Sequence, residues 1–217
     1  MRILVLAAHP DDEVLGVGAT IARHVRAGDD VTIVVAADCV SARGDVFDGA
    51  LPVPLARAAV ALGVEDVRFL GLRGMTLDGG PEIEVNRLVE AVVRDVRPDA
   101  VYTHHWADLN SDHRAVSRAA AVACRPHSGY TPARLLCFET PSSTEATPWT
   151  DFRPNAFSTL TEEDVERKME AMCCYDREMR RAPHPRSVEA LRVRAAFWGQ
   201  AAGCSLAEAF VVAREVF

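Results

Sequence analysis

The feature that most constrains the fold is a short apolar run that leads directly into five polar or rigid residues. Residues 3–8, ILVLAA, are too few for a helix and rich enough in branched side chains to predict a buried strand. The next five residues, HPDDE at positions 9–13, are followed by apolar residues at helical spacing as far as Val25. The polar cluster is therefore predicted on a strand-to-helix turn, at the sheet edge where open α/β folds bind ligands.

Apolar strands alternate with amphipathic helices along the rest of the chain, which predicts an α/β fold with a mostly parallel sheet. The expected strand order is 3-2-1-4-5, with an additional strand near the end. The predicted strands are 3–8, 31–37, 67–72, 100–103, 134–139 and 209–212, and the predicted helices are 14–26, 55–62, 82–96, 116–124, 162–181 and 187–203. A polar segment with three prolines, 141–154, is predicted to be a functional loop.

Length and charge restrict the class of protein. The 217 residues contain no repeat or linker, so one domain over 1–217 is expected. The net charge of −7 argues against nucleic-acid binding, which needs a basic surface. No apolar run approaches the ~18 residues that span a bilayer, and no targeting segment is visible, so a cytoplasmic location is expected. Six scattered cysteines without a CxxC pair predict reduced thiols.

Two polar clusters, which follow the first and fourth predicted strands, carry the chemistry. These strands are neighbours in the expected order, so His9 and Asp12 from the first turn can meet His113 from the second. Two imidazoles and one carboxylate with an open position are typical of catalytic zinc sites. Asp11, beside one ligand but free of the metal, would be the general base. The residues alone therefore predict a metal-dependent hydrolase.

Each cluster taken alone also fits a simpler interpretation. Acids at a helix start often only cap the helix and complement its dipole. A histidine that follows an acid, as His113 follows Asp112, is often one half of a surface pair. The residues Gly16-Val17-Gly18 with Asp38 resemble a degraded dinucleotide fingerprint, but the third glycine is missing and the first two fall within the predicted helix. The joint occurrence of both clusters at neighbouring strands favours the metal site.

Both motifs resemble those of a known family. AAHPDDEVLGVGATIARH resembles the opening of the PIG-L/LmbE-like deacetylases, and DLNSDHRAV resembles their second motif. The segments ETPSSTE, PHPRSVEALR and GCSLAEAF are similar to a bacterial branch of that family, so the resemblance covers nearly the whole chain. It implies a Rossmann-like three-layer fold and zinc-dependent removal of an acyl group from an amine, usually the acetyl of an N-acetylglucosamine unit.

The resemblance also implies roles for individual residues. His9, Asp12 and His113 would bind zinc, Asp11 would be the base, and Glu13 would cap or support the turn. The chain departs from the family at Asn110, where several members have a histidine that stabilises the intermediate or protonates the departing amine. Asparagine can donate a hydrogen bond to an oxyanion, but it cannot deliver a proton at neutral pH.

The identity of the general acid therefore stays open at this point. The candidates for delivering the proton, in order of preference, are Asp11 itself, His184 in the PHPR turn and His105 after the fourth strand. A packing role is the alternative for each of the two histidines.

Substrate contacts are predicted from the same sheet edge. Arg43, Asp78 and Glu139 follow the second, third and fifth strands and could hold sugar hydroxyls or a phosphate. Trp106 and Trp149 could stack on a sugar ring. The expected partner is a small N-acyl amino sugar or glycoconjugate. The alternatives are an amidase acting on a thiol conjugate or an acylated natural product, and a non-catalytic sugar- or nucleotide-binding module. The sequence does not indicate the oligomeric state, and the family resemblance is compatible with a homo-oligomer.

Overall fold

Seven strands form one sheet in the computed structural model of the chain, which describes residues 1–38, 50–80, 82–126, 129–148 and 152–217. Their order is β3-β2-β1-β4-β5-β7-β6, so the predicted order 3-2-1-4-5 is confirmed. β1 to β5 are mutually parallel, whereas β7 is antiparallel to both β5 and β6. The strands are β1 Arg2–Ala7, β2 Asp30–Ala37, β3 Asp66–Leu72, β4 Ala100–His104, β5 Arg134–Phe138, β6 Ala156–Thr159 and β7 Ala207–Glu215.

Helices cover both faces of this sheet, as expected for a parallel α/β fold. On one face lie α1 (Asp12–Arg26), α2 (Val53–Leu62), α5 (Glu162–Met172) and α6 (Val188–Ala202). On the other lie α3 (Glu82–Val96) and α4 (Ser111–Ala123). Side chains of β1 alternate between the two cores, because Ile3, Val5 and Ala7 contact the first and Leu4 and Leu6 contact the second. This double burial explains why the strand is a continuous apolar run.

Three elements differ from the sequence prediction. Strand β6 was not predicted, because its four residues follow a proline-rich segment and depend on pairing with β7. Helix α5 ends at Met172 rather than at 181, with Cys173 as its C-cap. Helix α4 begins at Ser111 rather than at 116, because the side chain of Asn110 caps it by accepting a hydrogen bond from the Asp112 amide. Its polar first turn therefore carries His113.

Gly16 allows α1 to pack closely on the sheet. A Cβ atom at this position would lie 2.2 Å from Cδ2 of Phe138, a rigid ring that is fully buried. A Cβ at Gly18 would meet nothing closer than 3.1 Å, the distance to side-chain carbons of Lys168 and Val14. The glycines of the fingerprint-like sequence therefore have a packing role, and the first of them is the more demanding.

We expect Gly16→Ala to lower the free energy of unfolding by about 1–3 kcal/mol, because the added methyl group overpacks a rigid core. Chemical denaturation should show the loss, and Gly18→Ala is the matched control with a smaller effect. The second substitution Phe138→Leu should restore part of the stability of Gly16→Ala, since the two sites are in contact. Equal stability of the two single alanine variants would contradict this account.

Candidate metal centre and active site

The predicted polar clusters meet at the point where the strand order reverses. β1 and β4 are adjacent and parallel, so the turn that starts α1 and the turn that starts α4 lie side by side. The candidate ligand atoms of His9, Asp12 and His113 all lie within 4.8 Å of one another. The three residues are 8%, 1% and 2% exposed, which is unusual for polar residues without a partner or ion.

The donor atoms fit a small divalent cation. Oδ2 of Asp12 lies 3.4 Å from Nδ1 of His9 and 3.2 Å from Nε2 of His113. Tetrahedral zinc with bonds of about 2.0–2.1 Å places its donors roughly 3.3 Å apart, and nitrogen and carboxylate oxygen are the donors that it takes. The chemistry of the three residues, and the spacing of Asp12 from each imidazole, therefore suit the metal that the sequence predicted.

The far nitrogen of each imidazole faces a buried carboxylate. Nε2 of His9 lies 2.9 Å from Oδ2 of Asp112, and Nδ1 of His113 lies 3.0 Å from Oδ1 of Asp108. Asp112 also accepts hydrogen bonds from the amides of Met75 and Leu77, which ties the loop after β3 to the centre. Carboxylates in this position orient metal-binding imidazoles and raise their basicity.

The loop after β5 supports the second of these carboxylates. Ser143 and Thr144 donate hydrogen bonds from their hydroxyl groups to Asp108, and the amide of Asn110 donates another at 2.9 Å. This loop is the first part of the predicted functional segment, and the residues that donate here are those of the ETPSSTE sequence. Its contribution to the site is indirect, through the orientation of His113.

We expect Asp112→Asn to weaken divalent metal binding about 10- to 100-fold, because it removes the charge that orients His9. The measurement is competition with a chromophoric zinc chelator. Asp95→Asn is the matched control, since that carboxylate is 67% exposed and pairs with Arg68 on the surface. An unchanged affinity in Asp112→Asn would show that this carboxylate does not tune the centre.

The three consecutive acids of HPDDE have three different partners. Asp12 points to the imidazoles, Asp11 pairs with Nη1 of Arg186 at 2.8 Å, and Glu13 accepts a hydrogen bond from the hydroxyl of Tyr175. Asp11 has φ 114° and ψ −28°, a left-handed conformation that is strained for a residue with a side chain. Such strain often accompanies a functional site, and here it separates adjacent side chains that would otherwise repel one another.

Burial dominates the ionisation of these acids. Burial and the neighbouring Asp12 raise the pKa of Asp11 to about 8, against the opposing charge of Arg186. Burial raises the pKa of Glu13 to about 7. For Asp12 burial is outweighed by the nearby His113, which holds the pKa well below its usual value. Burial therefore makes both Asp11 and Glu13 stronger proton acceptors than ordinary carboxylates.

The imidazoles lie in a strongly negative environment. Although burial lowers the pKa of His9, its bonds with Asp112 and Asp12 raise the pKa to about 10. Burial also lowers the pKa of His113, but Asp12 and Asp108 outweigh it and raise the pKa to about 9. Both shifts reflect surplus carboxylate charge around the nitrogens, which is the charge that a bound cation would balance.

A further histidine completes the wall of the site. His104 is fully buried, and its ring stacks on that of His113 with centroids 4.0 Å apart. Its Nε2 accepts the Ala8 amide at 2.9 Å and its Nδ1 lies 2.9 Å from Oγ1 of Thr140, so the neutral ring donates from Nδ1. Burial, together with His113, lowers the pKa of His104 to about 3. This residue therefore supports the candidate ligand as a neutral spacer.

The predicted catalytic partners Asn110, His184 and His105 have different surroundings in the structure. Asn110 uses its side-chain oxygen to cap α4, which leaves its NH₂ group as the free donor three residues before His113. His184 is half-buried, and its Nδ1 accepts the Arg186 amide at 3.1 Å. Among the described residues no hydrogen bond joins His184 to the three candidate ligands. His105 is buried between Trp106 and Phe152, which favours packing.

The structure describes two of the three predicted substrate contacts, Glu139 and Asp78. Glu139 is buried, and its oxygens accept hydrogen bonds from Arg194 and from Nε1 of Trp198. Asp78 is exposed in the loop after β3. Arg43 lies outside the described residues, as does Trp149. Their roles stay predictions.

Sequence reasoning did not single out five residues that the site uses, namely His104, Asp108, Asp112, Tyr175 and Arg186. Asp108 and Asp112 lie five residues and one residue before His113, and this spacing around a helix start was an available signal. No local pattern indicates Tyr175 or Arg186, which lie more than 160 residues beyond the turn that they contact.

The fold and site together define a Rossmann-like α/β protein with a buried His-Asp-His centre at the reversal of the strand order. The chain belongs to the PIG-L family, described as GlcNAc-PI de-N-acetylase, whose model matches residues 4–124, more than half of the sequence. That range contains both motifs that carried the resemblance.

Individual relatives agree. The chain is 33% identical to the uncharacterized deacetylase YaiS of Escherichia coli K12 over 78% of this chain and 88% of that protein. It is 31% identical to a 1D-myo-inositol 2-acetamido-2-deoxy-alpha-D-glucopyranoside deacetylase of Thermobifida fusca, over 60% of this chain and 58% of that longer protein. The fold is similar to that of the conserved protein TT1542 of Thermus thermophilus, with a TM-score of 0.78, 25% identity and coverage of 100% of this chain and 96% of that one.

Deacetylase is thus the enzyme family to which the chain belongs. No helix in the described ranges is both long and apolar enough to span a bilayer. The five cysteines of those ranges are free thiols, as the sequence predicted for them.

Proposed function

We propose that the chain is a zinc-dependent hydrolase that removes the N-acetyl group from an N-acetylglucosamine-type sugar or glycoconjugate. The observation that carries the proposal is the buried cluster of His9, Asp12 and His113 with the unligated carboxylate of Asp11 beside it. The substrate class is supported by the PIG-L family description and by the acetamido sugar in the name of the Thermobifida fusca relative.

Hydrolysis of an amide needs an activated water, stabilisation of the oxyanion and a proton for the departing amine. A divalent ion held by His9, Asp12 and His113 would supply Lewis acidity toward the amide carbonyl and the attacking water. Asp11, with its pKa raised by burial, accepts the proton of that water. The NH₂ group of Asn110, left free by the capping bond, donates to the developing oxyanion.

Asp11 is also the preferred source of the proton for the amine. It is adjacent in sequence to the candidate ligand Asp12, and burial raises its pKa, which favours holding the proton that it accepts until the amine departs. His184 is the second candidate, because its Nδ1 accepts a backbone amide and leaves Nε2–H as a donor. His105 is disfavoured by its burial between aromatic rings. Arg43, Asp78 and Glu139 remain the proposed substrate contacts.

The test is acetate release by the zinc-loaded protein from N-acetylglucosamine, its disaccharide and an N-acetylglucosaminyl inositol. Chelator-treated protein is the control, and added zinc should restore activity. A zinc-loaded protein that releases no acetate from these sugars but hydrolyses a thiol-conjugate amide would move the substrate class to that alternative. A protein that binds no divalent metal would favour a non-catalytic binding module.

A further inference from the structure

The catalytic turn is held by a distant part of the chain, between α5 and α6. Arg186 reaches Oδ2 of Asp11 through Nη1 at 2.8 Å, and the same Nη1 lies 3.6 Å from Oε2 of Glu178. Its Nε donates to Oγ of Ser142 at 2.8 Å. One guanidinium therefore joins the turn after β1, the loop after β5 and the segment before α6.

Among the described contacts, the hydrogen bond that the side chain of Asp11 accepts comes from Arg186. Both groups are sheltered, with side-chain exposures of 22% for Arg186 and 4% for Asp11, so the pair is weakly screened. The planar guanidinium holds its donors in a fixed arrangement. Because Nε donates to Ser142, the direction of the Nη1 donor is also fixed. This geometry can fix the rotation of the carboxylate.

The loop after β5 therefore supports both halves of the centre. Ser142 holds Arg186, while the next two residues, Ser143 and Thr144, hold the carboxylate of Asp108 beside His113. Ser142 itself has φ 77°, a strained conformation that the hydrogen bond from its backbone N–H to Oε1 of Glu145 helps to hold. A shared support would keep the base at a constant position relative to the candidate ligands.

We propose that Arg186 is a positioning residue that fixes the orientation of the Asp11 carboxylate, with Ser142 fixing the guanidinium in turn. This inference rests on the proposed function in that it takes Asp11 as the base. Arg186 acts through Asp11, and among the described contacts none joins it to the candidate metal ligands. The PHPR turn thus contributes to the reaction through Arg186, in addition to the proposed role of His184 as a second candidate for the acid.

The kinetic test compares Arg186→Gln with Arg192→Gln, a matched control on α6 whose partner Glu166 is a surface residue. We expect kcat of Arg186→Gln to fall about 100-fold with KM within about threefold, because a misplaced base affects the chemical step and not binding. Added guanidinium should raise the kcat of Arg186→Ala at least about tenfold. The kcat of Ser142→Ala should fall about tenfold. A kcat of Arg186→Gln within about threefold of the control would overturn the proposal.

Hydrogen exchange provides a readout that needs no activity. The amides of Val14 and Leu15 donate to the Asp11 carbonyl, so a peptide over residues 8–16 reports on the turn. We expect its exchange in Arg186→Gln to be at least about fivefold faster than in Arg192→Gln, and restored in part by Arg186→Lys. Equal exchange in the two glutamine variants would overturn the positioning role. If the wild type releases no acetate, the proposed function fails, and the exchange data still decide whether Arg186 holds the turn.

Discussion

Replacing Asp11 by asparagine is expected to abolish turnover while leaving the metal content near that of the parent protein. Asparagine keeps the shape and one acceptor oxygen for Arg186, but it cannot accept a proton from water. A positioned general base contributes about 10²–10⁴-fold to the rate, so a loss of that size is expected in kcat. The measurements are steady-state acetate release and elemental analysis of the same preparation.

Asp95→Asn serves as the control for Asp11→Asn, because its carboxylate is exposed and pairs with Arg68 on the surface. Thermal unfolding should show both variants folded. Activity of Asp11→Asn within about tenfold of the parent would remove Asp11 as the base and leave the proton transfer to another group.

Replacing His113 by alanine is expected to have the largest effect on metal binding. The substitution removes one of three protein donors, so the loss of affinity should exceed the 10–100-fold that outer carboxylates such as Asp112 contribute. Activity should fall with it and should not recover at zinc concentrations that saturate the parent. Metal content after gel filtration and chelator competition are the measurements.

His184→Ala is the informative companion to His113→Ala. His184 lacks contacts with the candidate ligands in the described structure, so its variant should retain the metal whether or not it serves as the acid. Unchanged zinc stoichiometry in His113→Ala would exclude it as a ligand. That result would also separate the family assignment, which stands on sequence similarity, from the proposed chemistry.

The strands at the centre of the sheet were predictable from the sequence because they are buried on both faces and rich in apolar residues. The run 3–8 is the clearest case, since its side chains enter both cores. Strand β6 was missed for the opposite reason: its four residues lie at the edge of the sheet, where pairing with β7 decides the conformation. The early end of α5 was also a tertiary effect, because the residues after Met172 leave the helix and Tyr175 reaches Glu13.

The candidate ligands were predictable because they occupy the strand ends that a parallel sheet brings together. The residues that orient them were less so. Asp108 and Asp112 resemble ordinary capping acids until their distances to the imidazoles are known. Asn110 shows the same ambiguity, since its oxygen has a capping role that leaves only its nitrogen for chemistry.

The sequence by itself determined the family, the order of the parallel strands and the three candidate ligands, because these depend on apolar periodicity and on short motifs at strand ends. The tertiary structure alone decided that each acid of HPDDE has its own partner and that Arg186 reaches Asp11 from 175 residues away. Contacts of this kind depend on where the chain returns after α5, and no local spacing specifies that path. A buried carboxylate is costly unless a cation or a hydrogen-bond donor compensates for the lost water, and Arg186 does so for Asp11 and Tyr175 for Glu13.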